Sequence, residues 1–181
     1  MTLAFELPNG CRLRPLEETD ADELSRLAAA NRAYLAEWMP WASGGIGPEQ
    51  QREFLRRAER QLAEDDGFQA TIFDDGAIVG TIGFHRIDRA NRATSLGYWL
   101  AESSQGRGTM TEAVRALTTH AFAVWELNRV EIRAAVGNAR SRAIPQRLGF
   151  VEEGVLRQSE RFTDHYKDVV VYSMLAEDWP T

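Results

Sequence analysis

The sequence predicts a mixed α/β fold, a central sheet with helices on both faces. Three observations carry that prediction. Apolar residues alternate with polar ones over runs of strand length, and helical periodicity interrupts those runs. A glycine-rich turn containing Gly106 and Gly108 joins a strand-like run to a helix-like run. With 181 residues, 44% of them hydrophobic and 27% charged, the chain fits one soluble domain of ordinary size, spanning residues 1–181.

Cys11 to Leu16 alternates arginine with apolar residues and reads as a first strand. Asp20-Ala21-Asp22-Glu23 resembles a capping box opening a helix that runs to about Leu35, with Leu24, Leu27, Asn31, Tyr34 and Leu35 on one face. Trp38 to Gly45 reads as a loop. Pro48 suits the first turn of a second helix, ending near Glu64. Phe68–Phe73 and Ala77–Ile87 read as strands joined by the Asp74-Asp75-Gly76 turn. Asp88 to Arg92 is a polar turn, and Ala93 to Leu100 the next strand. A helix from Thr109 carries Met110, Val114, Leu117, Ala121, Val124 and Trp125 on one stripe. Val130 to Val136 is a strand, and a short helix from near Ser141 ends at Gly149, a C-terminal cap. Strands from about Glu152 to Arg161 and Asp168 to Ala176 complete the chain. Strands meandering around crossovers imply a mixed sheet.

The formal net charge of −6 argues against a phosphate-backbone surface, so no direct nucleic-acid binding is expected, and it favours cationic partners such as amines. Cys11 is the single cysteine, so no intrachain disulfide forms; it reads as a buried strand residue rather than a nucleophile. His85, His120 and His165 are too scattered to suggest a metal site. No apolar run reaches membrane-spanning length and no signal pattern opens the chain, so a cytoplasmic protein without membrane attachment is expected.

Gln105-Gly106-Arg107-Gly108-Thr109-Met110 carries the strongest chemical signal. A glycine turn that opens a helix presents free N–H groups at the positive end of the helix dipole, a ready anion site usually filled by phosphate. Composition alone leaves an ordinary strand-to-helix connection as the alternative. A second cluster follows: Asn138-Ala139-Arg140-Ser141, then Ile144, Gln146, Arg147, Leu148, Gly149 and Phe150.

On these two stretches the chain resembles the GNAT-family N-acetyltransferases. Gln105 to Met110 is similar to the family's acetyl-CoA pyrophosphate loop, Q/R-x-x-G-x-G/A. Met110 takes the last position, as in the subgroup that reads G-x-G-x-M-T-E-A, which Gly106, Gly108, Met110, Thr111, Glu112 and Ala113 match. The Asn-x-x-Ser…Leu-Gly-Phe pattern resembles the second motif, and Asp168 to Leu175 the last strand. Together these resemble the Rim-type ribosomal-protein N-terminal acetyltransferases, from about Cys11 to the chain end. The resemblance implies a mostly antiparallel sheet that splays where acetyl-CoA enters, acetyl-CoA as co-substrate, and a homodimer.

It also implies roles for individual residues. The N–H groups of Gln105, Gly106, Arg107, Gly108, Thr109 and Met110 would hold the pyrophosphate, with Arg107 adding charge or lying solvated. Asn138 would bind the pantetheine arm, or serve only as a turn residue. A backbone N–H at Trp99 or Leu100 would polarise the thioester carbonyl. Many relatives place a tyrosine seven positions after the motif asparagine to protonate the departing thiolate; here that position is Pro145. Ser141 matches the group that Rim-type enzymes use instead, a role compatible with a helix N-cap. Glu160 matches their general base; its alternative is an exposed strand glutamate paired with Arg157 or Arg161. Trp38, Met39, Pro40 and Trp41 would form the lip of an acceptor pocket, or anchor the loop. His85 and Tyr98 would face the acceptor or be structural, and Tyr172 would be core or pocket wall.

An α-amine with pKa near 8 is roughly one-tenth neutral at pH 7, whereas a lysine amine is neutral only about once in 2,500. A modest base therefore suffices for α-amines. The expected activity is acetyl transfer from acetyl-CoA to a protein N-terminus, with ribosomal proteins among the candidate acceptors. The alternatives are a small amine (a polyamine, amino acid or aminoglycoside-like drug) and a non-catalytic acyl-CoA-binding module.

Overall fold

The computed structural model describes residues 3–43 and 47–180. Its strands are β1 (Phe5–Glu6), β2 (Arg12–Pro15), β3 (Gln69–Asp74), β4 (Ala77–Phe84), β5 (Ala93–Leu100), β6 (Arg129–Ala135), β7 (Val151–Arg161) and β8 (Tyr166–Leu175). The helices are α1 (Ala21–Ala30), α2 (Arg32–Trp38), α3 (Pro40–Ser43), α4 (Pro48–Ala63), α5 (Thr109–Ala123) and α6 (Ala139–Arg147). The strands form one sheet in the order β1-β2-β3-β4-β5-β6-β8-β7. Its pairings are antiparallel, except β5 with β6, which are parallel and need the α5 crossover between them. This is the mixed sheet that the strand pattern predicts, with the mostly antiparallel pairing that the family resemblance implies.

Successive strand side chains point to opposite faces, so neighbours enter different cores. Ile72 joins the larger cluster with Ile82, Leu96, Ile132 and the α5 residues Val114 and Leu117. Phe73 joins the cluster built from Leu24 of α1 and Leu55 of α4. Helices therefore cover both faces. In the centre, β4 is buried from Ile78 to Phe84, as befits a strand packed on both sides.

Several local expectations need correction. The first helix does not run through Asn31. There the backbone leaves the helical region (φ −105°, ψ 12°), and the side chain takes over two bonds. Asn31 Nδ2 donates to the Leu27 carbonyl at 2.9 Å, and its Oδ1 accepts from the Glu102 N–H at 2.9 Å. The capping box begins at Glu17, not Asp20, and opens a short 3₁₀ turn ahead of α1. Asp20 is instead buried and ion-paired with Arg14 at 2.7 Å. Trp38 ends α2, and Pro40–Ser43 forms a helical turn rather than a loop; Gly44 and Gly45 lie outside the described residues. Val124 lies beyond α5 and is 46% exposed, so it leaves the apolar stripe. The α6 helix starts at Ala139, two residues before Ser141. The two-residue edge strand β1 left too short a pattern to read.

Candidate active site

The β5–β6 pairing stops early. Partners run from Ala93–Arg129 to Leu96–Ile132 and no further. Beyond that point Gly97 to Leu100 bond only to β4, while Arg133 to Ala135 bond only to β8. The sheet thus opens into a gap. The Ala101 N–H donates to Val79, and the His85 N–H donates to the Ser95 carbonyl. In an antiparallel pair the bonded positions alternate, so residues 95, 97, 99 and 101 turn their backbone groups toward β4. Tyr98 and Leu100 therefore turn their N–H groups into the gap. The Trp99 N–H belongs to the β4 ladder, and what Trp99 offers the gap is its ring.

The gap widens into a cleft of about 970 Å³ lined by α2, the end of β5, the glycine turn, the start of α5, and α6. Gly106 and Gly108 both sit at φ +80°, and a Cβ at either would meet nothing within 4 Å. The left-handed backbone, not crowding, is what requires glycine there. Gly108 is the N-cap of α5 and offers no side-chain cap. The first bond of that end is from the Glu112 N–H to the Gly108 carbonyl. Among the described residues, no hydrogen-bond partner takes the N–H groups of Thr109, Met110 or Thr111. The side chains of Thr109 and Met110 are buried, so these residues present only their backbone to the cleft.

The α6 helix forms the opposite wall. Asn138 is its N-cap, its Oδ1 accepting from the Ser141 N–H at 3.0 Å. The cap is therefore Asn138 and not Ser141. The Ser141 hydroxyl lies 3.4 Å from the Tyr98 hydroxyl, which itself donates to the Ser141 carbonyl at 3.3 Å. Burial pushes the Tyr98 phenol up to about 12, so it stays protonated.

The cleft brings together Trp38, Tyr98, Trp99, Leu100, Gln105, Gly106, Gly108, Thr109, Met110, Asn138 and Ser141. Four candidates lie elsewhere. Arg107 turns away to an ion pair with Asp74 at 3.3 Å. Trp41 is 41% exposed and rests against Trp99 with ring centroids 6.1 Å apart. His85 lies over Gly97, its Nδ1 2.9 Å from Ser95 Oγ. Glu160 is half-buried on β7 opposite Lys167 of β8, and it pairs with neither Arg157 nor Arg161 among the described ion pairs. Burial raises the Glu160 carboxyl above its usual range, and the Lys167 charge works against that rise. Lys167 also lies 4.7 Å from the Trp38 ring centre and 4.5 Å from that of Phe162, so the strand partner of Glu160 reaches the cleft wall at Trp38.

Three cations that line the cleft, Arg115, Arg140 and Arg147, were not among the binding residues expected from sequence. Arg140 donates to Gln105 Oε1 at 2.8 Å, and Arg147 to Thr111 Oγ1 at 2.8 Å. With α6 starting at Ala139, Arg140, Ile144 and Arg147 fall on one helical face, a spacing that was readable once the start was right. Tyr172 is not pocket wall. It is fully buried, donates to Glu152 at 2.9 Å and accepts from Arg142 at 2.9 Å, which ties α6 to the sheet. Among the described residues, no group of three or more His, Cys, Asp or Glu could hold a metal ion.

Uncapped helix N–H groups flanked by cations suit a phosphorylated ligand, and the free edge of β5 suits an extended amide-bearing arm. Comparison with known proteins agrees with that geometry. Residues 11–151 match the family described as an acetyltransferase (GNAT) domain. The chain is 40% identical, over 92% of its length and 92% of the relative's, to YdaF of Bacillus subtilis (strain 168), provisionally named a ribosomal N-acetyltransferase. It is 29% identical to the ribosomal-protein-serine acetyltransferase of Escherichia coli (strain K12), over 98% of this chain and 99% of that one. The solved structure of RimL, an α-N-protein acetyltransferase of a ribosomal protein, in complex with coenzyme A, superposes with a TM-score of 0.87 at 29% identity. That match covers 91% of this chain and 93% of RimL.

Proposed function

The chain belongs to the GNAT acetyltransferase family, and on that premise we propose that it transfers the acetyl group of acetyl-CoA to the N-terminal α-amine of a protein or peptide, a ribosomal protein in the first instance. The observation that carries the reading is the gap after Leu96–Ile132, which runs straight to the uncapped N-terminus of α5. A pyrophosphate at that N-terminus gains the helix dipole and several N–H donors, with Arg140 and Arg147 close by. The pantetheine arm extends the sheet along the open edge of β5. The thioester carbonyl then meets the Leu100 or Tyr98 N–H, which serves as a preorganised oxyanion donor.

The amine attacks the carbonyl carbon, a C–N bond forms, and the C–S bond breaks with its electron pair going to sulfur. Glu160, which does not itself line the cleft, takes the amine proton through bridging water; its raised pKa brings it nearer to that of an α-amine. Ser141, on the opposite wall, protonates the thiolate. Trp38 and Trp99 shape the acceptor side, and the one continuous eight-stranded sheet supports reading residues 1–181 as a single catalytic domain. The names of the relatives support the ribosomal acceptor.

Release of CoA from acetyl-CoA across a panel of acceptors tests the proposal. N-terminal peptides are expected to turn over at least tenfold faster than lysine peptides, polyamines or aminoglycosides. Turnover confined to small amines would move the function to metabolite or drug modification. Tight binding of acetyl-CoA with no turnover would make the chain a binding module.

A further inference from the structure

Pro145 is the seventh residue of α6 and lies well inside the helix. In a regular helix the N–H of residue 145 bonds the carbonyl of residue 141, and proline has no N–H to offer. The Ser141 carbonyl is therefore released from the ladder, on the side that faces β5. It accepts instead from the Tyr98 hydroxyl at 3.3 Å. A carbonyl can only accept, so that bond uses Tyr98's single proton. The Ser141 hydroxyl, 3.4 Å from the same phenolic oxygen, is consequently the donor in the second contact. Both contacts are long, as hydrogen bonds at catalytic groups often are before substrate binds.

We propose that Tyr98 is a positioning residue for the Ser141 hydroxyl, and that Pro145 makes this possible by withholding the N–H that would otherwise occupy the Ser141 carbonyl. This rests on the reading of Ser141 as the group that protonates the thiolate. Tyr98 grips Ser141 at two points, its carbonyl and its hydroxyl, which fixes the serine rotamer at the cleft wall. A free serine side chain has three staggered rotamers, and only one puts Oγ beside a given sulfur; with Oγ so held, the proton that rests on Tyr98 Oη turns about the Cβ–Oγ bond to the thiolate as the C–S bond breaks. The same contact ties α6 to β5 across the open gap, where no ladder bond does. Pro145, which occupies the position of the tyrosine acid in many relatives, thus has a function of its own: it exchanges a helical bond for a cross-gap one.

The test is a set of variants: Tyr98→Phe, Pro145→Ala, Ser141→Ala, and the doubles Tyr98→Phe/Pro145→Ala and Tyr98→Phe/Ser141→Ala. Each is read by Tm, by kcat and by KM for acetyl-CoA. Tyr98→Phe alone is expected to lower Tm and to lower kcat about tenfold or more, with KM nearly unchanged. In the Pro145→Ala background the restored N–H satisfies the Ser141 carbonyl, so Tyr98→Phe is expected to cost no Tm yet still to lower kcat. Tyr98→Phe/Ser141→Ala is expected to be no slower than Ser141→Ala, because one residue acts through the other. If kcat recovers fully with Tm in Tyr98→Phe/Pro145→Ala, Tyr98 is only a carbonyl cap and the inference is overturned. If Ser141→Ala retains wild-type kcat, the reading of Ser141 itself fails, which is a separate result.

Discussion

Glu160 and Lys167 face one another across β7 and β8, and Lys167 is the only lysine in the chain. Glu160 must be ionised to take a proton. Burial raises its pKa, so the acid limb of kcat/KM is expected above the usual carboxylate value of about 4.3. Replacing Lys167 with Met removes the charge that favours the ionised form, so the limb should move to higher pH. Glu160→Gln should abolish the limb and lower kcat at pH 7 about 100-fold. A pH–rate profile unchanged by both substitutions would remove Glu160 from the mechanism. His120 obeys a second sign. It is buried between Phe5, Phe68 and Trp125, with no partner for Nε2 among the described residues, and burial lowers its pKa. Above about pH 6.5 both folded and unfolded states hold it neutral and it does not affect stability. As pH falls below that value the unfolded state takes the proton first, and stability drops until the lowered folded pKa is passed. Urea unfolding at pH 7.5 and pH 5 should therefore show a loss that His120→Phe reduces. None of these pairings was legible in the sequence, because each joins residues that only the folded sheet or core brings together.

At the scale of elements, the glycine turn was legible and its charge was not. The alternation of β5, the two glycines and the apolar stripe of α5 announce a strand, a turn and a helix N-terminus from sequence alone. Which arginine serves that terminus depends on α6 and on the β3–β4 turn, where Asp74 claims Arg107. Arg140→Ala is expected to raise KM for acetyl-CoA about tenfold, the scale of one lost charge-assisted hydrogen bond, while Arg107→Ala changes it less than twofold. Steady-state kinetics on both variants decides the assignment, and the reverse order would return the role to Arg107. Gly108→Ala should act at the same site by a different cause. It places a side chain at φ +80°, costing about 1 kcal/mol, and raises KM for acetyl-CoA without touching kcat. The helix break at Asn31 escaped sequence reading for a physical reason as well. The 3.6-residue pattern continues through it, and the bond that stabilises the break comes from Glu102, far along the chain.

Across the whole molecule, one parallel pairing in an otherwise antiparallel sheet places the site. A parallel connection needs a crossover helix, and the α5 crossover enters just where β5 and β6 diverge. The order of periodicities contained that much: strands meandering on both sides, one helix between β5 and β6, and a glycine turn at its head. The extent of the gap was not in the pattern, because strand propensity does not say where two strands stop pairing. The point is Leu96–Ile132, and beyond it Tyr98 and Leu100 present backbone groups that β6 leaves unpaired. This gap, continued to the α5 N-terminus, is the proposed acetyl-CoA site. Amide hydrogen exchange with and without acetyl-CoA measures that directly. Protection is expected at the amides of Tyr98 and Leu100 and from Gly106 to Thr111, with β1 to β3 unchanged. Saturating acetyl-CoA that protected other segments and left these amides exchanging freely would contradict it.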